Sequence, residues 1–171
     1  SPMALHLLNH PLGAHLLTRL RDRTTPPEQF RTLCHQLTLL LALEATSDLA
    51  TAPKTVETPM EICQGRALAQ RLVVVPILRA GLGMVQSIVD LFPDVNVGYI
   101  GLERDHQTAI ARSYYCKLPP VANVRVLVVD PMLATGGSAV KALDVIAAQG
   151  GRDVRLLNIV AAPEGVEAVG K

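Results

Sequence analysis

The hydrophobic positions of this chain change period several times, and the changes divide it into elements. Between Pro11 and Arg23, Leu12, Leu16, Leu17 and Leu20 recur at helical spacing, which predicts a short amphipathic helix. TTPPEQF comes next. Thr25 as N-cap, Pro26 at the first helical position and Glu28 three residues after the cap predict the start of a longer helix running to about Leu49. Its LTLLLALEA centre is apolar on more than one face, a breadth that fits deep burial in the domain or additional burial against a second subunit. Ala52 to Gly65, with two prolines and scattered polar residues, reads as a loop or short β-arm.

Beyond this point short apolar runs alternate with helix-period segments. LVVVPIL (72–78), VNVGYIG (95–101), VRVLVV (124–129) and VRLLNIVAA (154–162) read as strands, and GLGMVQSIVDLF (81–92) and GSAVKALDVIAAQG (137–150) as helices. Strands that are hydrophobic throughout and separated by helices imply a sheet covered on both faces. The expected fold is α/β, a doubly wound and mostly parallel sheet with flanking helices, preceded by N-terminal helices and a short β-arm. In such sheets ligands sit beyond the carboxyl ends of the strands, so functional residues are sought just after Leu78, Gly101 and Val129.

The junction after Val129 is the most polar of the three. Asp130 places a carboxylate at the strand end, and ATGGS then leads into a helix whose first N–H groups lack internal partners. Gly136 and Gly137 permit positive φ and close backbone approach to an anion, while Thr135 and Ser138 add hydroxyl donors. A Gly-rich helix cap without a ligand would use the same residues. The adjoining Asp130 tips the balance toward a phosphate beside a polyhydroxylated sugar, because a carboxylate accepts from vicinal hydroxyls. A Walker loop fails on spacing, since no glycine outside Gly170 precedes lysine. A dinucleotide fingerprint on Gly81 and Gly83, with Glu103 as its ribose acid, lacks the third glycine, which is Gln86 here.

Composition narrows the field. With 171 residues the chain is most simply one domain, able to bury about two thirds of its unfolded surface. Sixteen Lys and Arg against fifteen acids offer no whole-chain attraction to nucleic acid or an anionic membrane, and five aromatics are too few for a base-stacking platform. No apolar run reaches the roughly 18 residues of a membrane span. Cys34, Cys63 and Cys116 are far apart and odd in number, which argues for a reducing, cytoplasmic setting over a disulfide framework or zinc site. His6 and His10 have no third ligand nearby, so metal binding is not expected of them.

VLVVDPMLATGGS resembles the phosphoribosyl-pyrophosphate (PRPP) signature of type I phosphoribosyltransferases, and its DPMLATGGS form resembles the uracil phosphoribosyltransferase branch. NHPL (9–12), EATSDL (44–49), VVVPILRAGLGM (73–84) and VAAPEGVEAV (160–169) agree with it, so the likeness spans essentially the whole chain. It implies transfer of the 5-phosphoribosyl group from PRPP, with its Mg²⁺, to N1 of uracil, giving UMP and pyrophosphate. Asp130, Pro131, Met132, Leu133, Ala134, Thr135, Gly136, Gly137 and Ser138 would form the PRPP loop, with Asp130 on the ribose hydroxyls and Ala134 to Ser138 on the 5-phosphate. Arg79 and Arg104, just beyond their strands, would meet the pyrophosphate and serve as catalytic residues. Other branches carry further acids where this chain has Pro131 and Ala134, so no second loop carboxylate is present to act as a base.

The same resemblance makes ERDHQTAIARSYYCKL (103–118) a mobile lid, with His106 and Gln107 at its tip. It also implies a homodimer or higher homo-oligomer. In the family the uracil-reading segment comes after the APEG helix and carries a GYIVPGLGDAGD-like stretch, and residues 1–171 end before it. The chain therefore reads as a single phosphoribosyltransferase domain whose PRPP half is legible and whose base-reading half is not. A PRPP-binding regulatory paralogue and a transferase for another nucleobase stand as the alternatives.

Overall fold

The computed structural model describes residues 3–104, 108 and 111–171, and of residues 104 and 111 the backbone only. Two helices come first, α1 (Pro11–Arg21) and α2 (Pro27–Ala45), then a hairpin of β1 (Thr51–Glu57) and β2 (Ile62–Leu68). The α/β body begins with β3 (Leu72–Leu78), α3 (Leu82–Leu91), β4 (Asn96–Val97), β5 (Tyr99–Arg104) and β6 (Ala111–Lys117). It continues through β7 (Arg125–Val129), β8 (Met132–Leu133), α4 (Gly137–Ala148), β9 (Asp153–Leu157), β10 (Val160–Ala161) and α5 (Pro163–Gly170).

The main sheet runs β6-β5-β3-β7-β9, with β4 beside the start of β3. Every pairing in it is parallel except β5 with β6. Along β3 and β7 successive side chains point to opposite faces of the sheet. Val73, Val75, Ile77, Ile100, Val126 and Val128 pack with Ala142 and Ile146 of α4. Leu72, Val74, Leu127, Val129 and Leu157 pack with Met84 and Ile88 of α3 and Ala42 of α2. The crossover after β3 leads by α3 to the β5 side, and the crossover after β7 leads by α4, on the other face, to β9. The strand order therefore reverses between β3 and β7, and a crevice opens beyond their carboxyl ends.

Several sequence expectations need correction. Thr25 does not cap α2: its hydroxyl donates to the Arg19 carbonyl at 2.6 Å, and the N-cap is Pro26 with no side-chain bond, so no capping box forms. His10 is the side-chain cap of α1, its Nδ1 accepting from the Leu12 N–H at 3.1 Å, and α1 stops at Arg21. α2 stops at Ala45, because the Thr46 and Ser47 hydroxyls bond the Ala42 and Glu44 carbonyls and end the helical ladder. The strand expected at 95–101 breaks at Gly98, where a side chain would meet Leu118 and Pro119 at 2.9 Å. The strand expected at 154–162 breaks at Asn158 into β9 and β10.

The largest difference concerns residues 103–118. Ala111 to Lys117 are a strand, paired antiparallel with β5 through a register shift at Gly101/Leu102, so much of the expected lid is a ribbon on the sheet edge. Its polar composition concealed the β-preference of Tyr114, Tyr115 and Cys116, and the Tyr114 ring lies over Gly101, filling the place a side chain there would take. His106 and Gln107 lie outside the described residues.

The foot of the sheet is held by charge. Arg125, almost fully buried at the start of β7, donates through Nε to Asp153 at 2.8 Å and through Nη1 to Asp48 at 2.7 Å and the Ala45 carbonyl at 3.1 Å. Arg155 bonds the same two carboxylates, and Gln70 donates to Asp153. The hydrogen bond from Arg125 holds the Asp48 carboxyl down to about 2. Burial works against the Asp153 carboxylate, yet bonds from Arg125 and Gln70 keep its pKa below the usual range. The set ties the end of α2 to β7 and β9. Asp153→Ala, which strips the buried Arg125 Nε of its acceptor, is expected to cost about 3 kcal/mol in urea unfolding at neutral pH.

Candidate active site

Three strand ends meet at the reversal point. β3 ends at Leu78, in register with Gly101 of β5, and Pro76 of β3 is in register with Val129, the last residue of β7. Arg79 comes after β3 through a cis Leu78–Arg79 peptide and is solvent-exposed. The Gly81 N–H donates to the Ile77 carbonyl at 2.9 Å, folding the chain sharply into α3. Only glycine fits there: a Cβ on Gly81 would lie 2.7 Å from the Ile77 nitrogen and would collide with the Val129 carbonyl oxygen. That collision point is the backbone just before Asp130, so the Arg79 turn and the Asp130 loop are neighbours. Arg104 is the last residue of β5, paired with Ala111, and its side chain lies outside the described residues.

The loop itself is short and shaped by its backbone. Asp130 is partly buried and Leu133 buried, whereas Met132, Ala134, Thr135 and Gly137 face solvent. Pro131 fixes one φ and offers no N–H of its own. Gly136 is the N-cap of α4 with φ of +87°, a left-handed conformation that L side chains resist. No side chain caps that helix, whose first turn begins at Gly137 and Ser138. Residues 130 and 132–139 enclose an open depression of about 70 Å³. The depression is small and open to solvent, much smaller than the cleft described below.

Asp130 is unusual electrostatically. Burial pushes its carboxyl up to about 6, against the pull of a hydrogen bond from the Met132 backbone N–H. An anion of this kind is poorly solvated and gains from donors that a sugar can bring. A second stretch, not singled out for this role from sequence, supports the loop from behind. Asn158 Nδ2 donates to the Asp130 carbonyl at 2.7 Å, and β10 pairs in parallel with β8. Asn158 sits where an apolar strand was expected, and a lone polar residue inside such a run was the available signal.

Leu133 and Asn158 also border a second space behind the loop. A larger cleft of about 540 Å³ lies between residues 3–7, the end of α2, β9 and α5, lined by Leu41, Leu157, Ile159, Val166 and Val169 among others. It lacks the amide-rich turn of the loop. Among the described residues no group of three or more His, Cys, Asp or Glu could cage a metal ion, and Asp130 is the single carboxylate of its loop.

Comparison with known proteins agrees with this geometry. The sequence profile "Uracil phosphoribosyltransferase" matches residues 7–171. A uracil phosphoribosyltransferase of Symbiobacterium thermophilum is 51% identical over 165 residues, 95% of this chain and 79% of that protein. Its counterpart from a Roseiflexus species is 50% identical over 161 residues, 94% and 77% of the two chains. Among solved structures, the AQ2163 protein of Aquifex aeolicus superposes with a TM-score of 0.89 at 34% identity, covering 96% of this chain and 79% of that one. A hypoxanthine-guanine phosphoribosyltransferase of Bacillus anthracis reaches 0.60 at 13% identity over 78% and 72%, a likeness of fold alone. On the strength of the profile and of relatives at this identity over nearly its whole length, the chain belongs to the uracil phosphoribosyltransferase family.

Proposed function

We propose that the chain transfers the 5-phosphoribosyl group of PRPP to N1 of uracil, forming UMP and releasing pyrophosphate, in the cytoplasm. The observation that carries this reading is the small depression lined by residues 132–139 at the uncapped start of α4, with the partly buried Asp130 carboxylate on its wall, at the point where strand order reverses. Family membership supplies the substrates, and the Symbiobacterium and Roseiflexus relatives give no support to a PRPP-binding regulator or to another base.

In this reading Ala134 to Ser138 hold the 5-phosphate, which fits the depression, while the rest of PRPP extends over Asp130 toward Arg79. Asp130 accepts from the ribose hydroxyls. Leu133 anchors the loop in the core, Pro131 stiffens it, and Met132 presents an apolar surface to the sugar side. As the anomeric C–O bond breaks, the ribose becomes cationic and charge accumulates on the departing diphosphate. Arg79 and Arg104 meet that charge, a fixed fork of donors suiting a leaving group with several anionic oxygens. A Mg²⁺ ion carried by PRPP would add Lewis-acid stabilisation of the same negative charge.

The β1–β2 hairpin belongs to the same proposal. Most of its residues are exposed, including Ile62 and Leu68, as is Met60 in its turn, and a lone two-stranded hairpin is marginal in water. We assign its partner as a second copy of the chain, making the enzyme a homodimer at least.

Release of pyrophosphate from Mg·PRPP should depend on uracil and not on cytosine or hypoxanthine. Arg79→Ala should lower kcat/KM about 100-fold or more while leaving the melting temperature unchanged; equal losses of both would overturn the role. Asp130→Asn should abolish turnover yet resist urea better than the parent at pH 7.5. The folded carboxyl titrates near 6, above its ordinary 3.8, so the parent gains stability as pH falls through that window and the gap should close by about pH 4. A gap that persisted at pH 4 would exclude burial of the charge as its cause. Light scattering should show Met60→Asp with Ile62→Asp shifting the assembly toward monomer.

A further inference from the structure

Residues 158–168 track the PRPP loop contact by contact. Asn158 holds the Asp130 carbonyl, and the Ile159 and Val160 N–H groups both donate to the Pro131 carbonyl, at 3.0 and 3.1 Å. The Ala162 N–H donates to the Leu133 carbonyl at 2.7 Å. There the backbone bonds end and α5 takes over by shape. A Cβ on Gly165 would stand 2.6 Å from the Ala134 carbonyl oxygen and 2.8 Å from Leu133 Cγ. One turn later the Ala168 methyl occupies the space above Gly136, where an added Cβ would lie 2.7 Å from it. Gly165 and Gly136 thus lie backbone against backbone, an added Cβ on Gly136 standing 3.0 Å from the Gly165 carbonyl oxygen, with no room for a further carbon on either.

We propose that Gly165 and Ala168 are positioning residues for PRPP, with α5 acting as the mould against which the loop Ala134–Gly136 takes its binding shape. The proposal rests on the reading of that loop as the 5-phosphate site. A methyl at position 165 meets a carbonyl oxygen, not the end of a flexible side chain, so either α5 withdraws or Ala134 moves. Movement of Ala134 turns the amides after it away from the phosphate. Gly136 cannot compensate, because its left-handed φ and the Ala168 methyl above it confine it from both sides. Neither Gly165 nor Ala168 touches the substrate in this arrangement, so their effect is transmitted through loop geometry alone. Gly170, in the same helix, has nothing within 4 Å of its added Cβ and serves as the matched control.

The test compares Gly165→Ala, Ala168→Val and Gly170→Ala in steady-state kinetics and in PRPP binding by calorimetry. For the first two, KM and Kd for Mg·PRPP should rise about tenfold or more with the KM for uracil nearly unchanged, because small misplacements of binding groups are costly, and the melting temperature should fall somewhat, because the added carbon has to displace backbone. Gly170→Ala should behave as the parent. Folded Gly165→Ala and Ala168→Val proteins that bind PRPP normally would overturn the proposal, as would parallel losses for both substrates. Should those variants fail to fold, hydrogen exchange on the unmodified protein decides between the outcomes. PRPP should slow exchange in 163–168 as well as in 134–138, and protection confined to 134–138 would overturn the mould. A parent protein that binds no PRPP at all would refute the reading of the loop itself, a result distinct from these.

Discussion

The parallel pairing of β3 with β7 is the constraint on which the rest depends. Five registered residue pairs bring the two strands to the same height, so that the Arg79 turn and the Asp130 loop emerge side by side. Their crossover helices lie on opposite faces, which leaves the space above the pair free of both. The close approach of Gly81 to the Val129 carbonyl then decides how near the arginine turn can come to the carboxylate loop. A side chain at that point would push the arginine turn away from the Asp130 loop.

Loop charge and loop stability pull in opposite directions. Asp130 is kept in a setting that favours its neutral form, and its backbone is held there by Asn158 and by the pairing of β8 with β10. Sites are commonly places where local preference is overruled by surrounding structure. The surroundings here consist of hydrogen bonds to the backbone of Asp130, Pro131 and Leu133, which hold the loop without drawing on its side chains. The carboxylate stays partly open to the crevice, where a ligand's donors could reach it.

Much of the fold could be read in the sequence because its core strands are apolar on both faces and bounded by turns. LVVVPIL matches β3 residue for residue, and the Gly-rich turn after Val129 marks the start of α4. The errors share one cause: tertiary contacts override local pattern. Thr25 carries a cap signature but spends its hydroxyl on Arg19; ARSYYCK looks like a polar lid but finds a strand partner in β5; VRLLNIVAA looks continuous but is cut where Asn158 reaches Asp130. At the site, residues with their own chemical signature, Asp130, Arg79 and the two glycines of the loop, stand out from the chain alone. Residues that act by being small, Gly81 and Gly165, have no such signature, since an absent side chain tells nothing until its neighbours are known.

The charged cluster around Arg125 has a mechanical meaning for the whole molecule. Asp48, gripped by Arg125 and Arg155, stands three residues before the first strand of the exposed hairpin, so the root of that arm is riveted to the feet of β7 and β9. A tug on the arm is thereby absorbed at the pole of the sheet opposite the crevice. The clamp and the candidate site thus occupy opposite ends of the same strands, and a disturbance at one has the length of the sheet to cross before it meets the other.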